Sequence, residues 1–591
     1  MKKLPLVTRL LIWRKRKISD GRFMIFLSMV VGFAAGLGAV IIKNSVHFIQ
    51  TLLTEGFSDQ YYQILFFIYP AIGILITILF INFILKRKVG HGIPNVLYAI
   101  SKNNGIIRPY QTFSSIITSA LTVGFGGSVG LEGPTVSTGG AVGSNIGRFL
   151  RLDFKNITLL IACASAGAMA AIFKAPIASI IFALEVLMLD LTMAALLPLL
   201  IAAVSGTVTS YFFLGQQVLY PFEVQESFHL TDIPVYIVFG ILCGFISLYF
   251  FRIYTNFEEK FEKLGNWYTR FIVGALILGM LLFLMPSLYG EGYQAINSSL
   301  HGNYSYLFIN SPFFEFRDNQ YAVLIALIAV ILFKAIATYV TFGAGGIGGI
   351  FAPSLFIGAN SGVLFSTLIN QFHIREISQS NFALAGMAGM ITGVIHAPLT
   401  AIFLIAEITG GYQLILPLMI VASFSYVTIS LFEKNSVYTH QLARRGELFT
   451  HDKDKVVLSL MNLDELLETK FSTVSQDATL GELVKVIQES KRNVFPVIDE
   501  NNILQGIVHL NNIRHVIFKP ELYDTTYVRN LMYYPINFVS PKDNMEIIVQ
   551  KFQSSGHYNL PVIQEGKYIG FVSRAKVLSK YRKMLKHFSE D

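Results

Sequence analysis

The chain has 591 residues, of which 53% are hydrophobic and only 14% are charged, and its formal net charge is +9. Soluble proteins carry about a quarter charged residues, so this composition excludes an ordinary water-soluble protein and indicates that lipid is the main solvent. The two cysteines, Cys163 and Cys243, both stand in apolar runs. This placement does not suggest a disulfide framework or a metal-ligand spacing, and we expect two small buried side chains.

Positive charge is concentrated in residues 1–20, directly before the first apolar run. The basic residues there are Lys2, Lys3, Arg9, Arg14, Lys15, Arg16 and Lys17. Positive charge in front of a first span favours a cytoplasmic location for that segment. A cleaved signal peptide is not expected, because no small-residue cleavage site follows. We predict that residues 1–20 form a cytoplasmic segment.

Long apolar runs between Arg22 and Phe432 predict a membrane domain at residues 21–440. Several of them approach the ~20 residues that a spanning helix needs. The runs are Phe23–Ile42, Tyr62–Leu85, Leu196–Leu214, Ile233–Phe251, Phe271–Leu288 and Tyr321–Phe342. After Lys434 charged residues become frequent and the apolar runs shorten to strand length. This change predicts a linker at residues 441–456 and a soluble tail beyond it.

Three glycine-rich segments interrupt the apolar runs, namely Gly124–Gly130, Gly139–Gly147 and Gly343–Gly349. Broken helices are tolerated at membrane depth where the backbone is buried in protein or lines a watery cavity. A helix that starts after such a break presents free backbone N–H groups and the positive end of its dipole. These groups can hold an anion, and none of the three segments contains Lys or Arg. The pattern predicts an anion site made from backbone.

The membrane part also contains an internal repeat, with two pairs of matching segments separated by the same distance. At an offset of about 220 residues, Gly130–Pro134 matches Gly349–Pro353 and Lys174–Glu185 matches His396–Glu407. We predict two repeats, at roughly 21–220 and 230–440. Duplicated halves with interrupted helices at matching positions indicate a substrate site between the halves.

Glu132 stands inside the first break, in the sequence Gly-Ser-Val-Gly-Leu-Glu-Gly-Pro. An ionisable residue within a membrane segment is a functional hypothesis by default. When ionised, its carboxylate could occupy a site built for anions and block it. When protonated, it would lose its attraction to the backbone N–H groups and leave. We predict that Glu132 is a gate sensitive to pH and to competing anions; a purely local role at a helix N-terminus stays open.

Four short motifs extend this prediction because they occur in the order known from one family. They are Gly90-His-Gly-Ile-Pro94, Gly130-Leu-Glu-Gly-Pro134, Gly349-Ile-Phe-Ala-Pro353 and Tyr438 in Asn-Ser-Val-Tyr-Thr. Over nearly its whole length, the chain resembles the CLC family of chloride channels and proton-coupled chloride antiporters. The resemblance implies an α-helical integral membrane protein with inverted repeats and broken helices. It also implies a homodimer with one anion path per subunit, embedded in the lipid bilayer with both termini cytoplasmic, and a bacterial plasma membrane is the expected location.

The resemblance further implies which residues serve the anion path. Glu132 would be the external gate, and chloride or another small anion would contact the Tyr438 hydroxyl and the backbone of the motif segments. The implied anion-binding residues are His91, Gly92, Ile93, Leu131, Gly133, Ile350, Phe351, Ala352 and Tyr438. No metal and no organic cofactor is implied for the membrane domain.

Two of these positions depart from the family pattern. His91 replaces a serine, and an imidazole can also donate to an anion, but it is larger and it titrates. We expect that His91 either contacts the permeant ion or packs as a neutral ring. Leu131 stands where relatives usually have Arg or Lys, which removes a positive charge beside the gate. The selectivity among anions therefore stays open.

Val186 occupies the position at which antiporters of this family usually carry an internal proton-relay glutamate. Valine cannot carry a proton, and channels of the family commonly have an apolar residue there. This difference favours a gated chloride channel over a chloride/proton antiporter. Antiport stays open, because some exchangers of the family lack this glutamate and because Glu185 is adjacent.

The tail alternates short apolar strands with amphipathic helices and contains a repeat of its own. Val494–Glu500 resembles Asn559–Glu565, and Leu480–Ser490 corresponds to Met545–Ser555. The pattern resembles a tandem CBS pair, an α/β cytoplasmic module, which we predict at residues 457–525 and 526–585.

Such pairs often bind adenine nucleotides through a Thr or Ser followed three residues later by an Asp. The matching positions are His509 and Asn512 in the first copy, and Ser573 and Lys576 in the second. Because no Asp is present to accept the ribose hydroxyls, we expect a structural or dimerising tail rather than a nucleotide sensor.

Other functional classes have less support in the sequence. A CBS-regulated transporter of magnesium or another metal ion would need clustered oxygen ligands. The acids of the membrane part are scattered instead, at Glu132, Glu185, Asp190 and Glu407. The intact breaks argue against a vestigial pore that serves only as a sensor. No enzyme motif is visible, and we expect no enzymatic activity and no nucleic-acid partner.

Overall fold

The computed structural model describes residues 14, 17–54, 62–87, 89–90, 92–187, 193–220, 228–444, 458 and 461–589. The chain forms two compact units, Met1–Leu448 and Phe449–Asp591. Most of the predicted N-terminal segment, most of the predicted linker and His91 lie outside the described residues.

The first unit is helical throughout its described residues. Its helices are α1 (Asp20–Thr54), α2 (Tyr62–Leu79, continued by a π-helical turn at Phe80–Leu85), α3 (Ile93–Ser101), α4 (Gln111–Gly124), α5 (Glu132–Phe149), α6 (Phe154–Phe173), α7 (Pro176–Glu185), α8 (Met193–Leu214), α9 (Ile233–Lys263), α10 (Trp267–Leu284), α11 (Tyr293–Leu300), α12 (Gln320–Gly343), α13 (Phe351–Gln371), α14 (Gln379–Ile395), α15 (Pro398–Thr409), α16 (Ile415–Ser430) and α17 (Val437–Arg444).

Eight helices among the described residues are long and apolar enough to cross a membrane. They are joined by shorter apolar helices, such as α7, α15 and α16. Large apolar side chains point outward from these helices; Phe212, for example, is 82% exposed. Because the composition is that of a lipid-embedded chain, this outer apolar surface is the expected bilayer-facing surface.

Helices α1–α8 and α9–α16 form two halves that pack in the same way. In the first half α5 packs on α6, α6 on α8, and α1 on α8. In the second half the helices of equal rank make the same contacts, α13 with α14, α14 with α16, and α9 with α16. The internal repeat predicted from the sequence is therefore a repeat of structure.

The two predicted breaks separate helices and meet each other. The first lies between the end of α4 and Glu132, and the second between the end of α12 and Phe351. Gly130 and Gly349 pair in antiparallel fashion: each backbone N–H donates to the carbonyl of the other, at 2.8 Å and 2.7 Å. This pairing places the N-termini of α5 and α13 side by side near the centre of the unit.

The prediction of a third break at Gly139–Gly147 is wrong, because these residues lie within α5. Their glycines serve close helix packing instead. A Cβ atom on Gly143 would lie 2.3 Å from the carbonyl oxygen of Leu160 on α6. The second half repeats this contact, since a Cβ on Gly362 of α13 would lie 2.0 Å from the carbonyl oxygen of Phe382 on α14.

The second unit combines strands and helices, as predicted. Its elements are α18 (Leu463–Leu466), β1 (Leu467–Glu468), α19 (Leu480–Glu489), β2 (Val494–Ile498), β3 (Leu504–His509), α20 (Leu510–Ile513), α21 (Met545–Ser555), β4 (Asn559–Gln564), β5 (Lys567–Ser573) and α22 (Arg574–Ser589). Strands β2 and β3 form one antiparallel sheet, and β1, β5 and β4 form a second one in that order.

The two copies of the tail repeat share their strand register. Val494 pairs with His509 in the first copy as Asn559 pairs with Ser573 in the second, and each ladder shifts register one residue after the Val497 or Val562 pair. Each sheet also receives a segment from the other copy. Strand β1 pairs with β5, and Tyr533 exchanges two backbone hydrogen bonds with Ile507 of β3. The copies are therefore interlocked.

Candidate functional site

Glu132 begins α5 at the junction of the two breaks, and its side chain is fully buried. Its Oε2 atom lies against bare backbone: a Cβ on Gly130 would come within 2.1 Å of it, and one on Gly349 within 3.3 Å. The same oxygen faces the backbone N–H of Ala352 in the first turn of α13, although it makes no hydrogen bond of normal geometry. The carboxylate thus occupies the space between the two helix starts.

This space is favourable for negative charge. The N-terminus of a helix offers unpaired N–H groups and a positive partial charge, and here two such termini converge. A free anion would be stabilised at the same place by the same groups. Because the space already holds the Glu132 carboxylate, the structure corresponds to a closed position of the predicted gate.

Tyr293, the first residue of α11, holds the gate in this position. Its hydroxyl donates a hydrogen bond to Oε1 of Glu132. The ring of Tyr220 packs beside it, with 6.1 Å between the ring centroids. The closed carboxylate is therefore held by a side chain from outside both breaks.

A short segment, Leu288–Tyr293, carries this tyrosine and is anchored at several points. The fully buried Lys334 of α12 donates to the carbonyl oxygens of Leu288 at 3.1 Å and of Gly290 at 2.8 Å. Ser128 of the first break also donates to the Leu288 carbonyl, at 2.7 Å. These bonds fix the segment over the first break and set the position of the Tyr293 hydroxyl.

Glu291 in the same segment adds a second carboxylate next to the gate. It faces the backbone N–H of Leu131 and is within electrostatic reach of Glu132, Lys43 and Lys334. The two lysines come from α1 and α12, so positive charge approaches the gate from neighbouring helices. Leu131 itself is buried and carries none. The charge that the motif lacks at this position is supplied from other parts of the fold.

Most of the predicted anion-binding residues come together at the paired breaks. Phe351 and Ala352 form the first turn of α13 and are fully buried, and Ile350 precedes them. Gly92 packs on Gly133, since a Cβ on Gly92 would lie 2.7 Å from the Gly133 carbonyl carbon. Leu131 is brought to the same junction, but its N–H faces Glu291.

Tyr438 reaches this junction from α17. Its side chain is buried, and its hydroxyl has no hydrogen-bond partner among the described residues. A buried hydroxyl without a partner is costly, so it is available to donate to a bound anion. The predicted role of Tyr438 as an anion ligand is compatible with this position.

A cavity of about 210 Å³ lies next to these residues. Ile93, Gly133, Ile350 and Tyr438 line one part of it. Charged and polar side chains line another part, namely Glu258 and Glu262 of α9, Arg270 of α10 and Gln441 of α17. The cavity connects the paired breaks to a polar region at the C-terminal end of α9.

Glu185 and Glu407, which close the second repeated motif, bind each other's motif. The Glu407 carboxylate accepts from the backbone N–H groups of Ile177 at 3.0 Å and Ala178 at 2.8 Å, at the start of α7. The Glu185 carboxylate accepts from the N–H groups of Leu399 at 3.1 Å and Thr400 at 2.8 Å, at the start of α15. Each half thus caps a helix of the other half.

The capping contacts bear on the question of an internal proton relay. Glu185 also accepts from the Thr400 hydroxyl at 2.7 Å, so its carboxylate is fully engaged. Val186, one residue further, is buried and apolar. Neither residue offers a free carboxylate to carry a proton.

The sequence reasoning missed Tyr293, Glu291, Lys334 and Glu258. Lys334 left a signal, because it is a single cation inside the long apolar run Tyr321–Phe342, and a buried ionisable residue at membrane depth deserves a functional hypothesis. Tyr293 left no signal, since its contact with Glu132 joins residues far apart in the chain.

In the tail, the first predicted ribose position is occupied by a half-buried imidazole. The His509 ring lies nearly parallel to the rings of Tyr533 and His557, at centroid distances of 6.0 Å and 6.4 Å. Burial lowers the pKa of His509, and His557 lowers it further, so the ring is neutral at pH 7. A neutral ring at this place provides no carboxylate for a ribose.

The paired breaks, the buried glutamate and the helical repeat define a membrane transport protein of the CLC type. A family model described as "Voltage gated chloride channel" matches residues 72–430, and a CBS domain model matches residues 463–519 and 528–583. The chain belongs to the voltage-gated chloride channel (CLC) family and carries a tandem CBS pair. It is a multi-pass membrane protein of a family that transports chloride, and no finding supports the alternative of a magnesium-type transporter.

Curated relatives cover most of the membrane unit. A "chloride channel protein ClcB-like" of Ralstonia nicotianae is 29% identical over 384 residues, which span 64% of this chain and 85% of that protein. An "H(+)/Cl(-) exchange transporter ClcA" of Vibrio campbellii is 28% identical over 439 residues, which span 71% of this chain and 89% of that protein. The relatives thus include both a protein named as a channel and a protein named as an exchanger.

Solved structures support the fold. A slow cyanobacterial Cl⁻/H⁺ antiporter has a TM-score of 0.60 at 23% identity, covering 71% of this chain and 97% of that one. A eukaryotic CLC transporter has a TM-score of 0.59 at 18% identity and covers 94% of this chain and 97% of that one. The predicted fold class is confirmed.

Replacing Tyr293 by Phe is expected to loosen the closed gate. A hydrogen bond to a charged group contributes about 1.5–3 kcal/mol, so its loss favours the open position by at least about tenfold. The bond stabilises the ionised carboxylate; without it less acid is needed to open the gate, and the pH of half-maximal chloride flux rises by about one unit. The measurement is chloride efflux from proteoliposomes as a function of pH.

Tyr304→Phe is the matched control for this prediction. The Tyr304 hydroxyl donates to Gln379 and does not contact Glu132. We expect its pH profile to coincide with that of the unmodified protein. An unchanged profile for Tyr293→Phe would contradict the proposed hold on the gate.

Proposed function

We propose that the protein exchanges chloride for protons across the membrane, with Glu132 as the group that both blocks the anion site and carries the proton. The observation that carries this proposal is the position of its carboxylate between the starts of α5 and α13. An anion and an ionised carboxylate are both attracted to that place and repel each other. Only one of them can fill it at a time.

Mutual exclusion supports coupling between the two ions. When Glu132 takes up a proton, its attraction to the helix starts falls and an anion can enter. When the proton leaves, the carboxylate returns and the anion departs. The Tyr293 hydrogen bond favours this return, because it stabilises the ionised side chain in place. A site of this kind binds either chloride or the ionised gate, and each change of occupant moves a proton.

The exchanger names of the Vibrio relatives, at 28% identity, add support to this proposal. A gated chloride channel, the function favoured by the sequence alone, remains the second candidate. Val186 is the observation in its favour, because the buried side chain at this position cannot relay a proton. Both candidates use the same anion site and the same gate.

Simultaneous recording of chloride and protons tests the proposal. The protein is reconstituted into liposomes with a chloride gradient, the membrane potential is set with valinomycin and potassium, and the external pH is followed. Exchange predicts proton movement against the direction of chloride, in a constant ratio to it, even without a pH gradient. Chloride flux without proton movement would establish the channel, and flux of neither ion would contradict both candidates.

We further propose that the protein is a homodimer with one anion path per subunit and with both termini in the cytoplasm of a bacterial cell. Short apolar helices with exposed apolar side chains, such as Ile177 on α7 and Leu399 on α15, at 43% and 53% exposure, support a protein–protein contact in the bilayer. The mass of the detergent-solubilised protein by light scattering tests the dimer, and cysteine labelling of the tail in intact vesicles tests the orientation.

We propose that the CBS pair has a structural role rather than a nucleotide-sensing one. The neutral His509 ring and the absence of an Asp at the ribose positions support this proposal. Millimolar ATP or AMP is expected to leave the thermal unfolding temperature and the chloride flux of the full-length protein unchanged. A nucleotide-dependent rise in the unfolding temperature would overturn it.

A further inference from the structure

Proton-coupled exchange requires that the proton on Glu132 reach both faces of the membrane domain. On the side of Tyr293, the segment Leu288–Tyr293 covers the gate. On the side of the cavity, the direct candidates are unsuited: Glu185 is engaged by α15, and Val186 is apolar. A proton that passes through the cavity needs another ionisable group.

Glu258 is placed to be that group. It lies near the C-terminal end of α9 and lines the same cavity as Gly133, Ile350 and Tyr438. Its carboxylate accepts hydrogen bonds from the side chains of Gln441 on α17 and Tyr254 on α9. The carboxylate is therefore held at the cavity wall by neutral donors, which leave it free to exchange its proton.

Two buried hydroxyls extend from Glu258 towards the gate. Tyr339 of α12 packs against Tyr254, with 5.2 Å between the ring centroids, and is within electrostatic reach of both Glu258 and Tyr438. The hydroxyls of Tyr339 and Tyr438 are buried and have no partner among the described residues. Tyr438 in turn is within electrostatic reach of Glu132. Unpartnered hydroxyls beside a cavity with room for several waters can order those waters.

We propose that Glu258 is the carboxylate that exchanges protons with Glu132 through the cavity, by way of the Tyr339 and Tyr438 hydroxyls and intervening water. This inference rests on the proposed exchange function. In the step, the Glu258 carboxyl releases its proton to the water chain and Glu132 accepts one from its other end; no other bond changes. Glu258 is then recharged from the solution that fills the cavity.

The charged and titratable groups around Glu258 are few. Glu262 lies one turn further along α9 and Arg444 lies on α17, and both influence its carboxylate. Arg270 of α10 lines the same cavity. Glu259 points away from the cavity, is 52% exposed and pairs with Arg444 at 3.6 Å. Glu259 is therefore a matched control residue on the same helix.

The test compares Glu258→Gln with Glu259→Gln in the reconstituted full-length protein. Glutamine keeps the shape and one acceptor but cannot carry a proton. For Glu258→Gln we expect chloride-driven proton flux to fall by at least about tenfold, while chloride flux changes by less than about twofold. Glu259→Gln is expected to retain both fluxes. Glu258→Asp keeps a carboxyl and is expected to restore part of the proton flux, which separates proton transfer from a purely structural role.

Each outcome bears on the inference separately from the exchange function. If the unmodified protein moves no protons, both are overturned. If it moves protons and Glu258→Gln does so at the same rate, only the role of Glu258 is overturned. If Glu262→Gln alone abolishes proton flux, the role belongs to that neighbour and not to Glu258. If Glu258→Gln does not elute as a folded protein, Glu258→Asp and Glu258→His decide: proton flux absent from both, with chloride flux intact, overturns the inference, and proton flux in either supports it.

Discussion

Replacing Glu132 by Ala is expected to abolish proton flux while chloride continues to cross. The substitution removes the charge that competes with the anion between the two helix starts, so the site becomes permanently available to chloride. It also removes the group that takes up the proton. We expect proton flux to fall by about a hundredfold, or to the leak of the vesicles, as is common when a proton-transferring side chain is lost. Chloride flux is expected to become independent of pH.

Glu132→Gln and Glu315→Gln are the comparisons for this prediction. Glutamine is neutral like the protonated gate, so Glu132→Gln is also expected to conduct without pH dependence. Glu315 is exposed and lies outside the gate region, so its replacement is expected to change neither flux. The measurement is chloride and proton flux from proteoliposomes between pH 4 and pH 8. A Glu132→Ala protein with the pH profile of the unmodified chain would rule out the gate.

Replacing Glu407 by Ala is expected to give the largest loss of stability. Its carboxylate accepts two backbone hydrogen bonds at the start of α7, and no other side chain is positioned to replace it in the described contacts. Hydrogen bonds to a charged group contribute about 1.5–3 kcal/mol each, so the expected loss is about 3–5 kcal/mol. Glu185→Ala is expected to have a similar effect through α15.

The measurement is thermal unfolding in detergent, followed by the fraction of protein that stays monodisperse after heating. Glu407→Gln keeps one acceptor oxygen and is expected to lose about half as much stability. Glu259→Ala removes only one partner of an exposed ion pair and is expected to change the unfolding temperature little. If Glu407→Ala and Glu259→Ala unfold at the same temperature, the caps do not stabilise the join between the halves.

The sequence was sufficient for the architecture because its repeats are visible as text. The matched Gly130–Pro134 and Gly349–Pro353 segments located both breaks, and the tail repeat located both copies of the CBS pair. The glycines at 139–147 misled, because a glycine that allows close helix packing looks the same in sequence as one that ends a helix. Composition alone does not distinguish these two uses of the residue.

The surroundings of the gate were less accessible from the sequence. Tyr293 and Lys334 act through contacts that depend on how α11 and α12 are placed against the first break. Leu131 was correctly seen as a missing charge, but the lysines near Glu291 come from α1 and α12 and follow no local pattern. Single-sequence reasoning reads periodicity and motifs; it does not supply the distances between helices that are remote along the chain.

The reciprocal binding of Glu185 and Glu407 has a consequence for the ancestry of the fold. Each half carries both a helix start that needs an acceptor and a glutamate that supplies one, and the two satisfy each other crosswise. An ancestral half-length chain with one such motif could have satisfied it only by associating with a second copy in opposite orientation. The same association would have brought two broken helices together at one point, as Gly130 and Gly349 meet now. Duplication and fusion then freed the two copies to diverge, so that only one of the paired breaks needed to keep a glutamate.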